Sequence, residues 1–274
     1  MKYAVSVAGS DSSAGAGLQT DLKTMNACGV WGMTVAAALT AQNGTCVTES
    51  ANVEASFIRK QIETLCAEFP IGCWKTGMLN NAATVRAAAS AIPSDAFLVT
   101  DPVIVSTSGS VLLDKAGERA LCAELLPLAL IVTPNIPEAE YLSGVCVTDR
   151  KSAYEAGRWF MEQGASSVLI KGGHNESWRG CDYFIDRDGI RTIEGKRLPY
   201  SNIHGTGCCL SSAAAAYIAL GKSPYAAVCA AKEFVTAAIE HSVVYPSGRR
   251  TVNPLWKAFS PQKRILGPQN QDTD

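Results

Sequence analysis

Residues able to do chemistry recur in this chain directly after apolar runs. Gln42-Asn43-Gly44 follows GMTVAAALTA, Lys75-Thr76-Gly77-Met78 follows IGCW, and Asp101-Pro102 follows AFLVT. Pro134-Asn135 follows ALIVT, and Lys171-Gly172-Gly173 follows SVLI. The densest set is HGTGCCLSSAAAAYIALG (204–221), which is open to three chemistries. A zinc site needs three or four ligands, and His204 with Cys208 lacks two more at plausible spacing. A thiol nucleophile needs a base partner, which the sequence does not show. Gly205-Thr206-Gly207-Cys208 suits an anion cradle better. Its glycines let backbone N–H groups converge, and the helix that follows adds the positive end of its dipole. On this reading Cys208 sits at the rim and Cys209 packs as a small residue.

These residues need a scaffold that gathers them. YAVSVAG (3–9) reads as a strand, followed by the loop GSDSSAGAG (9–17) and a helix carrying Leu18, Leu22 and Met25 on one face. Strands are expected at 32–44, 71–78, 96–102, 129–135 and 166–173. Helices are expected at 57–69, 80–91, 115–126 and 151–163. YFIDRDGIRTI (183–193) reads as a hairpin across Asp188-Gly189, and two last helices span about 207–220 and 224–242. Alternating strands and helices imply an α/β fold: a central, mostly parallel β-sheet flanked by helices on both faces. Ligands of such sheets bind beyond the C-terminal strand ends, which is where the polar residues fall. No composition break divides the chain, so one domain over 1–259 is expected, with 260–274 (PQKRILGPQNQDTD and the serine before it) as a disordered tail.

Composition narrows the function. Lys+Arg 24 against Asp+Glu 25 offers no basic surface for nucleic acid. Apolar windows end well short of the roughly 18–20 residues of a membrane span, and MKYAVSVAG reads as a first strand rather than a leader. A cytoplasmic location is expected. Of ten cysteines, Cys28, Cys66, Cys73, Cys122 and Cys229 fall in apolar patterns, and no C-x-x-C pair occurs. Such cysteines pack as small hydrophobes in a reducing compartment. Two nucleotide signatures fail. Gly15-Ala16-Gly17 is followed by Thr20 where a dinucleotide fingerprint needs glycine. Gly189…Gly195-Lys196 has one residue too many for a Walker loop and is followed by Arg197.

Seven ordered blocks carry a resemblance. AGSDSSAGAGLQTDLKT, ALTAQNGT, KTGML, VTDPVIVSTSG, TPNIPEAEYL, LIKGGH and HGTGCCLSSA together resemble the hydroxymethylpyrimidine kinase / phosphomethylpyrimidine kinase family of thiamine biosynthesis, within the ribokinase-like superfamily. The resemblance implies transfer of the γ-phosphoryl group of ATP to 4-amino-5-hydroxymethyl-2-methylpyrimidine, with a second transfer to its monophosphate, in a homodimer. It implies that Gln42 recognises the aminopyrimidine, with Asp21 and Ala16 lining the pocket and Met78 and Val103 against the ring. Gly205, Thr206, Gly207 and Cys208 match the anion hole. A helix N-terminus lowers a thiol pKa, which makes Cys208 a candidate proton acceptor; phosphate positioning alone is the alternative. Asp101 and Glu138 would organise Mg²⁺, with Asn135 and Lys171 at the ATP phosphates. Glu138 could instead simply start the helix PEAEYL. Residues 103–110 match a lid.

The chain departs from the family pattern in three places. Ser12 and Ala14 replace a proline and a glycine of the first loop, and SGRRTVNPLW (247–256) replaces a Gly-His-Gly-Pro-Val-Asn-His run. The last departure bears on the edge of the phosphate site and on the second phosphorylation. Pyridoxal/pyridoxine kinases of the same branch are the nearest rival. They resemble Met-Asp-Pro at Gln42-Asn43-Gly44 and carry a lid cysteine that 103–110 lacks. A non-catalytic ligand sensor is a further alternative, opposed by retention of Asp101, Glu138, Lys171 and the GTGC turn.

Overall fold

A computed structural model of the chain describes residues 1–105, 111–173, 180–200 and 203–258. The expected tail at 260–274 and residues 106–110 of the expected lid lie outside them. The first half runs β1 (Tyr3–Asp11), α1 (Gly17–Ala27), β2 (Trp31–Gln42), β3 (Val47–Asn52), α2 (Ala55–Cys66), β4 (Ile71–Thr76), α3 (Ala82–Ala91) and β5 (Leu98–Thr100). It continues with α4 (Lys115–Ala120), β6 (Ile131–Val132), α5 (Ile136–Ser143), α6 (Arg150–Glu162) and β7 (Val168–Lys171). The last part holds β8 (Asp182–Asp186), β9 (Gly189–Ile193), α7 (Thr206–Ala219), α8 (Pro224–Glu240), β10 (Val243–Val244) and β11 (Arg250–Thr251).

The main sheet has the order β3-β2-β1-β4-β5-β6-β7-β8-β9. From β2 to β7 neighbours are parallel, while β3, β8 and β9 pair antiparallel at the two edges. Strand period explains why the parallel runs are apolar throughout, since successive side chains face opposite layers and both are covered. Trp74, Leu98, Val132 and Val168 join the core beneath α2–α6. Their neighbours Cys73, Val99, Ile131 and Leu169 join the core beneath α1, α7 and α8. The alanines of α7 are almost all fully buried, which lets this helix lie close to the sheet.

Three elements differ from the sequence expectation. β3 was not anticipated because VTESAN is almost wholly exposed and is held by backbone pairing to β2. The helix expected over 115–126 stops at Ala120 and passes through a π turn, Leu121–Leu125, and a 3₁₀ turn, Leu126–Leu128. Pro127 supplies no N–H to continue an α-helix. The β10–β11 hairpin runs into the divergent C-terminal stretch, which holds β11.

The chain leaves β1 toward β2 and β3, then returns through β4 on the other side of β1. Beyond the C-terminal ends of β1 and β4 this reversal opens the crevice where open α/β sheets bind ligands.

Candidate active site

A cavity of about 300 Å³ occupies that crevice. Ala16, Gln42, Met78, Val103, Asp101, Asn135, Glu138 and Lys171 all line it, as do Gly205 through Cys208. The expected residues are thus brought together from β2, α5, β7, α7 and the loops between elements, with Asp21 the exception.

Asp21 does not reach the cavity. It lies on the inner face of α1 with no exposure, where Lys75 Nζ donates to its carboxylate at 2.7 Å. Ser6 Oγ and Ser212 Oγ also donate to it, at 2.6 and 2.7 Å. The pocket-lining role expected of Asp21 is therefore corrected: it anchors Lys75, and Lys75 lines the cavity. Burial alone would lower the Lys75 amine, but the charge of Asp21 above all holds it raised and cationic.

The Gly205–Cys208 turn opens directly onto the cavity. Gly205 begins α7 at φ +81°, and a Cβ there would overlap the Gly15 carbonyl oxygen; only glycine permits this approach. No side chain caps α7, so its first-turn N–H groups stay available to an anion. A Cβ on Gly207 would sit 3.3 Å from Lys171 Nζ and 3.6 Å from Asp101 Oδ2, which places the helix start directly against those charges. Cys208 corrects the sequence argument. Burial pushes its thiol up to about 11, although Lys75 pulls it down, so the lowering expected from the helix N-terminus is overridden. Cys209 is fully buried beside Thr24, a packed small residue.

Lys171 donates to Asp101 Oδ1 at 2.8 Å, and Thr133 donates to the same oxygen at 3.1 Å. Burial would raise the Asp101 carboxyl, but Lys171 and Lys75 hold it below the usual carboxylate value. Asn135 and Glu138 form a capping box at the start of α5, each side chain accepting from the other's backbone N–H. Glu138 both starts that helix and faces the cavity. Burial pushes it up to about 7, with the charge of Asp101 adding to the rise and Lys171 opposing it. Among the described residues no three His, Cys, Asp or Glu side chains cluster as a metal site. Two neighbouring carboxylates do fit Mg²⁺, which usually takes one or two and fills its remaining positions with water and phosphate.

The sequence pattern assigns no role to Asp11 or Thr40, no partner to Lys75 and only a failed zinc site to His204, yet all four line the cavity. His204 Nε2 lies 3.1 Å from Asp11 Oδ2 and 3.2 Å from Gln42 Nε2. The divergent C-terminus supports this same region. Tyr245 Oη donates to Ser13 O at 3.1 Å, and Thr251 Oγ1 donates to Gly15 O at 3.0 Å. Ser12, another departure, clamps Gln42: its hydroxyl accepts from Gln42 N at 2.9 Å and donates to Gln42 O at 2.6 Å. Of the lid segment, Val103 and Val105 line the cavity, and Leu112 N donates to Ile104 O at 2.8 Å.

Among the described residues no helix is long and apolar enough to cross a membrane.

Comparison with known proteins agrees with this geometry. Residues 11–253 match the phosphomethylpyrimidine kinase family. The chain is 39% identical over 259 residues to the hydroxymethylpyrimidine/phosphomethylpyrimidine kinase of Haemophilus influenzae, covering 92% of this chain and 96% of that one. It is 38% identical to the thiamine biosynthesis bifunctional protein ThiED of Geobacter sulfurreducens, covering 97% of this chain; it spans about half, 53%, of that longer protein. Among solved structures, an ADP complex of Bacillus subtilis pyridoxal kinase superposes with a TM-score of 0.85 at 31% identity, covering 95% of this chain and 100% of that one. The ribokinase-like architecture and the sequence match converge: the chain belongs to the phosphomethylpyrimidine kinase family of phosphotransferases.

Proposed function

We propose that this kinase transfers the γ-phosphoryl group of ATP to the hydroxymethyl oxygen of 4-amino-5-hydroxymethyl-2-methylpyrimidine, and then phosphorylates the monophosphate, in thiamine biosynthesis. The observation that carries the reading is the Gln42 amide on the wall of the cavity that also holds Ala16, Met78 and Val103. An amide offers a donor and an acceptor side by side, which an amino group next to a ring nitrogen matches. The apolar side chains suit the faces of the ring.

The chain's own groups supply the rest. The first-turn N–H groups of Gly205, Thr206, Gly207 and Cys208 face the charge on the transferring phosphoryl group. Lys171 and Asn135 hold the ATP phosphates, Lys171 as a compact point charge. Asp101 and Glu138 are the residues assigned to Mg²⁺, which when bound neutralises phosphate charge. A thiol near 11 keeps its proton at neutral pH, so Cys208 is assigned to phosphate positioning rather than to proton acceptance. A loose phosphoryl-transfer transition state needs little base assistance. Residues 1–259 are proposed as one kinase domain that works in the cytoplasm as a homodimer, which sedimentation tests.

The pyridoxal kinase of B. subtilis shares the architecture, so substrate choice is the deciding measurement. ATP-dependent phosphorylation of the hydroxymethylpyrimidine, its monophosphate and pyridoxal is compared side by side. The expected preference in kcat/KM for the pyrimidine over pyridoxal is about 100-fold or more, as for a site whose polar groups match one ring only. A preference for pyridoxal overturns the reading.

A further inference from the structure

The hydrogen-bond capacities around Gln42 cannot all be met with its amide nitrogen toward His204. His204 Nε2 sits within reach of both Asp11 Oδ2, at 3.1 Å, and the Gln42 amide nitrogen, at 3.2 Å. Asp11 is anchored as an acceptor. Its Oδ1 takes hydrogen bonds from Ser13 N and Ser13 Oγ, both at 2.8 Å, and its Oδ2 takes one from Ala16 N at 2.9 Å. Burial alone would raise this carboxyl, but hydrogen bonds from His204 and Ser13 hold it below the usual range. A carboxylate has no proton to offer, so His204 Nε2 must carry one. A protonated ring nitrogen has no lone pair left for the NH₂ of Gln42.

The other end of the amide meets the same conflict from an independent direction. Thr40 Oγ1 lies 2.8 Å from Ser10 O and 3.2 Å from Gln42 Oε1. A hydroxyl has a single proton, and the shorter contact to a carbonyl claims it. What Thr40 turns toward Gln42 is a lone pair, opposite the amide oxygen. Turning the amide over removes both clashes: Oε1 then faces His204 Nε2–H and shares its one proton with Asp11 Oδ2 as a second acceptor, while the NH₂ donates to Thr40 Oγ1. Oxygen and nitrogen of an amide differ too little in shape for packing to choose between them, so the hydrogen-bond network decides.

We propose that His204, oriented by Asp11, and Thr40, oriented by the Ser10 carbonyl, are specificity-determining positioning residues that fix the polarity of the Gln42 amide. The inference rests on the aminopyrimidine reading of the substrate. Once Oε1 has accepted from His204 and the NH₂ has donated to Thr40, one acceptor site and one N–H remain for the ligand. Their order in space is set. The amide accepts from an exocyclic amino group and donates to the adjacent ring nitrogen in one register only. A ring with a carbonyl in place of the amino group, and an N–H in place of the ring nitrogen, presents the reverse pattern and meets acceptor with acceptor.

Two measurements test this on the full-length protein. The first is the ring tautomer of His204 in the ligand-free enzyme, read by ¹⁵N NMR of histidine-labelled protein. The chain has three histidines, and the His204→Gln spectrum assigns the resonance. A proton on Nε2 is expected; an unprotonated Nε2 overturns the proposal. The second compares the aminopyrimidine with its 4-oxo analogue. The wild-type enzyme should favour the amino compound by about 100-fold or more in kcat/KM, because the analogue leaves buried polar groups unpaired. His204→Leu should reduce that ratio about tenfold, the scale of one lost hydrogen bond at a desolvated site, mainly through KM for the amino compound. His204→Gln, whose amide N–H groups reach both Asp11 and Gln42, should restore it. An unchanged ratio in a folded His204→Leu enzyme overturns the proposal. If pyridoxal is the only ring phosphorylated, the substrate reading fails, and the tautomer alone then decides the polarity of the amide.

Discussion

Lys75–Asp21 and Lys171–Asp101 are chemically the same pair at nearly the same separation, 2.7 and 2.8 Å. Their surroundings differ. Both side chains of the first pair have 0% exposure, whereas those of the second have 14% and 3%. Asp21 is closed off by Ser6 and Ser212 beneath α1 and α7. Asp101 and Lys171 both stand on the cavity wall against Gly207. Asp21 lies out of the cavity's reach and keeps Lys75 committed to it, so although Lys75 touches the cavity wall its charge serves as fixed background. An open pair can trade: on the proposed reading, Lys171 turns to an arriving phosphate and releases Asp101 for a cation. Access, rather than residue type, separates the electrostatic support from the groups that meet substrate.

Substituting one lysine at a time breaks the comparison most directly. Lys75→Met leaves the Asp21 carboxylate buried without its cation, which costs about 3–5 kcal/mol of stability. For a chain of this size that lowers Tm by roughly 5–10 °C. Lys171→Met should instead lower kcat about 10²–10³-fold, the scale for removing one preorganised electrostatic group, with Tm only slightly changed because the cavity admits water. Calorimetry and steady-state kinetics on the two variants test the contrast. Equal losses of stability would erase the distinction between sealed and open.

The open pair also has a titrating neighbour. Glu138 moves from an ordinary value of 4.5 to about 7 in the folded chain. Between those values the folded state holds a proton that the unfolded state has released. Stability therefore falls as pH rises through that window and levels off above it, by at most about 1.4 kcal/mol per pH unit. Glu138→Gln should remove this part of the pH dependence while keeping the capping box, which glutamine also forms. The denaturation midpoint of both proteins from pH 4.5 to 8 measures the difference, and parallel curves would show that Glu138 carries no proton there.

Cys208 lies between the two pairs in the electrostatic sense, lowered by Lys75 and raised by Asp21 and Asp101. If it only positions phosphate, Cys208→Ala should lower kcat by about tenfold and leave the pH profile near neutrality unchanged. A loss of 10³-fold or more, with a vanished alkaline limb, would restore proton acceptance.

Much of this was legible in the sequence, for a physical reason. Strands buried on both faces read as continuous apolar runs, and the polar residue after each run marks the strand end where ligands bind. That logic located Gln42, Asp101, Asn135 and Lys171. What escaped depends on contacts between distant parts of the chain. Lys75 meets Asp21 across 54 residues, and His204 meets Asp11 across 193. No local pattern distinguishes a carboxylate that faces a cavity from one that turns beneath it, so the sequence offers nothing to correct the pocket role that the resemblance implies for Asp21. The stretch 247–256 reads as a departure from the family run, yet its Thr251, with Tyr245 just before it, braces the first loop.

That first loop supplies the smallest test, because it carries strain that neither ion pair explains. Ala14 has φ +59°, a left-handed conformation that costs a side chain about 1–2 kcal/mol relative to glycine. Its backbone is committed there: Ala14 N donates to Asp11 O at 2.9 Å, and Ala14 O accepts from Lys23 Nζ at 2.9 Å. Ala14→Gly keeps these hydrogen bonds and relieves the strain, while the more flexible unfolded chain offsets part of the gain. The expected net stabilisation is about 0.5–1 kcal/mol, or roughly 1–4 °C in Tm, by calorimetry. Because the change touches neither pair, it should leave the pH window of Glu138 and the contrast between Lys75→Met and Lys171→Met where they were. A drop in Tm would mean that the alanine methyl holds the loop against its neighbours more strongly than the backbone resists it.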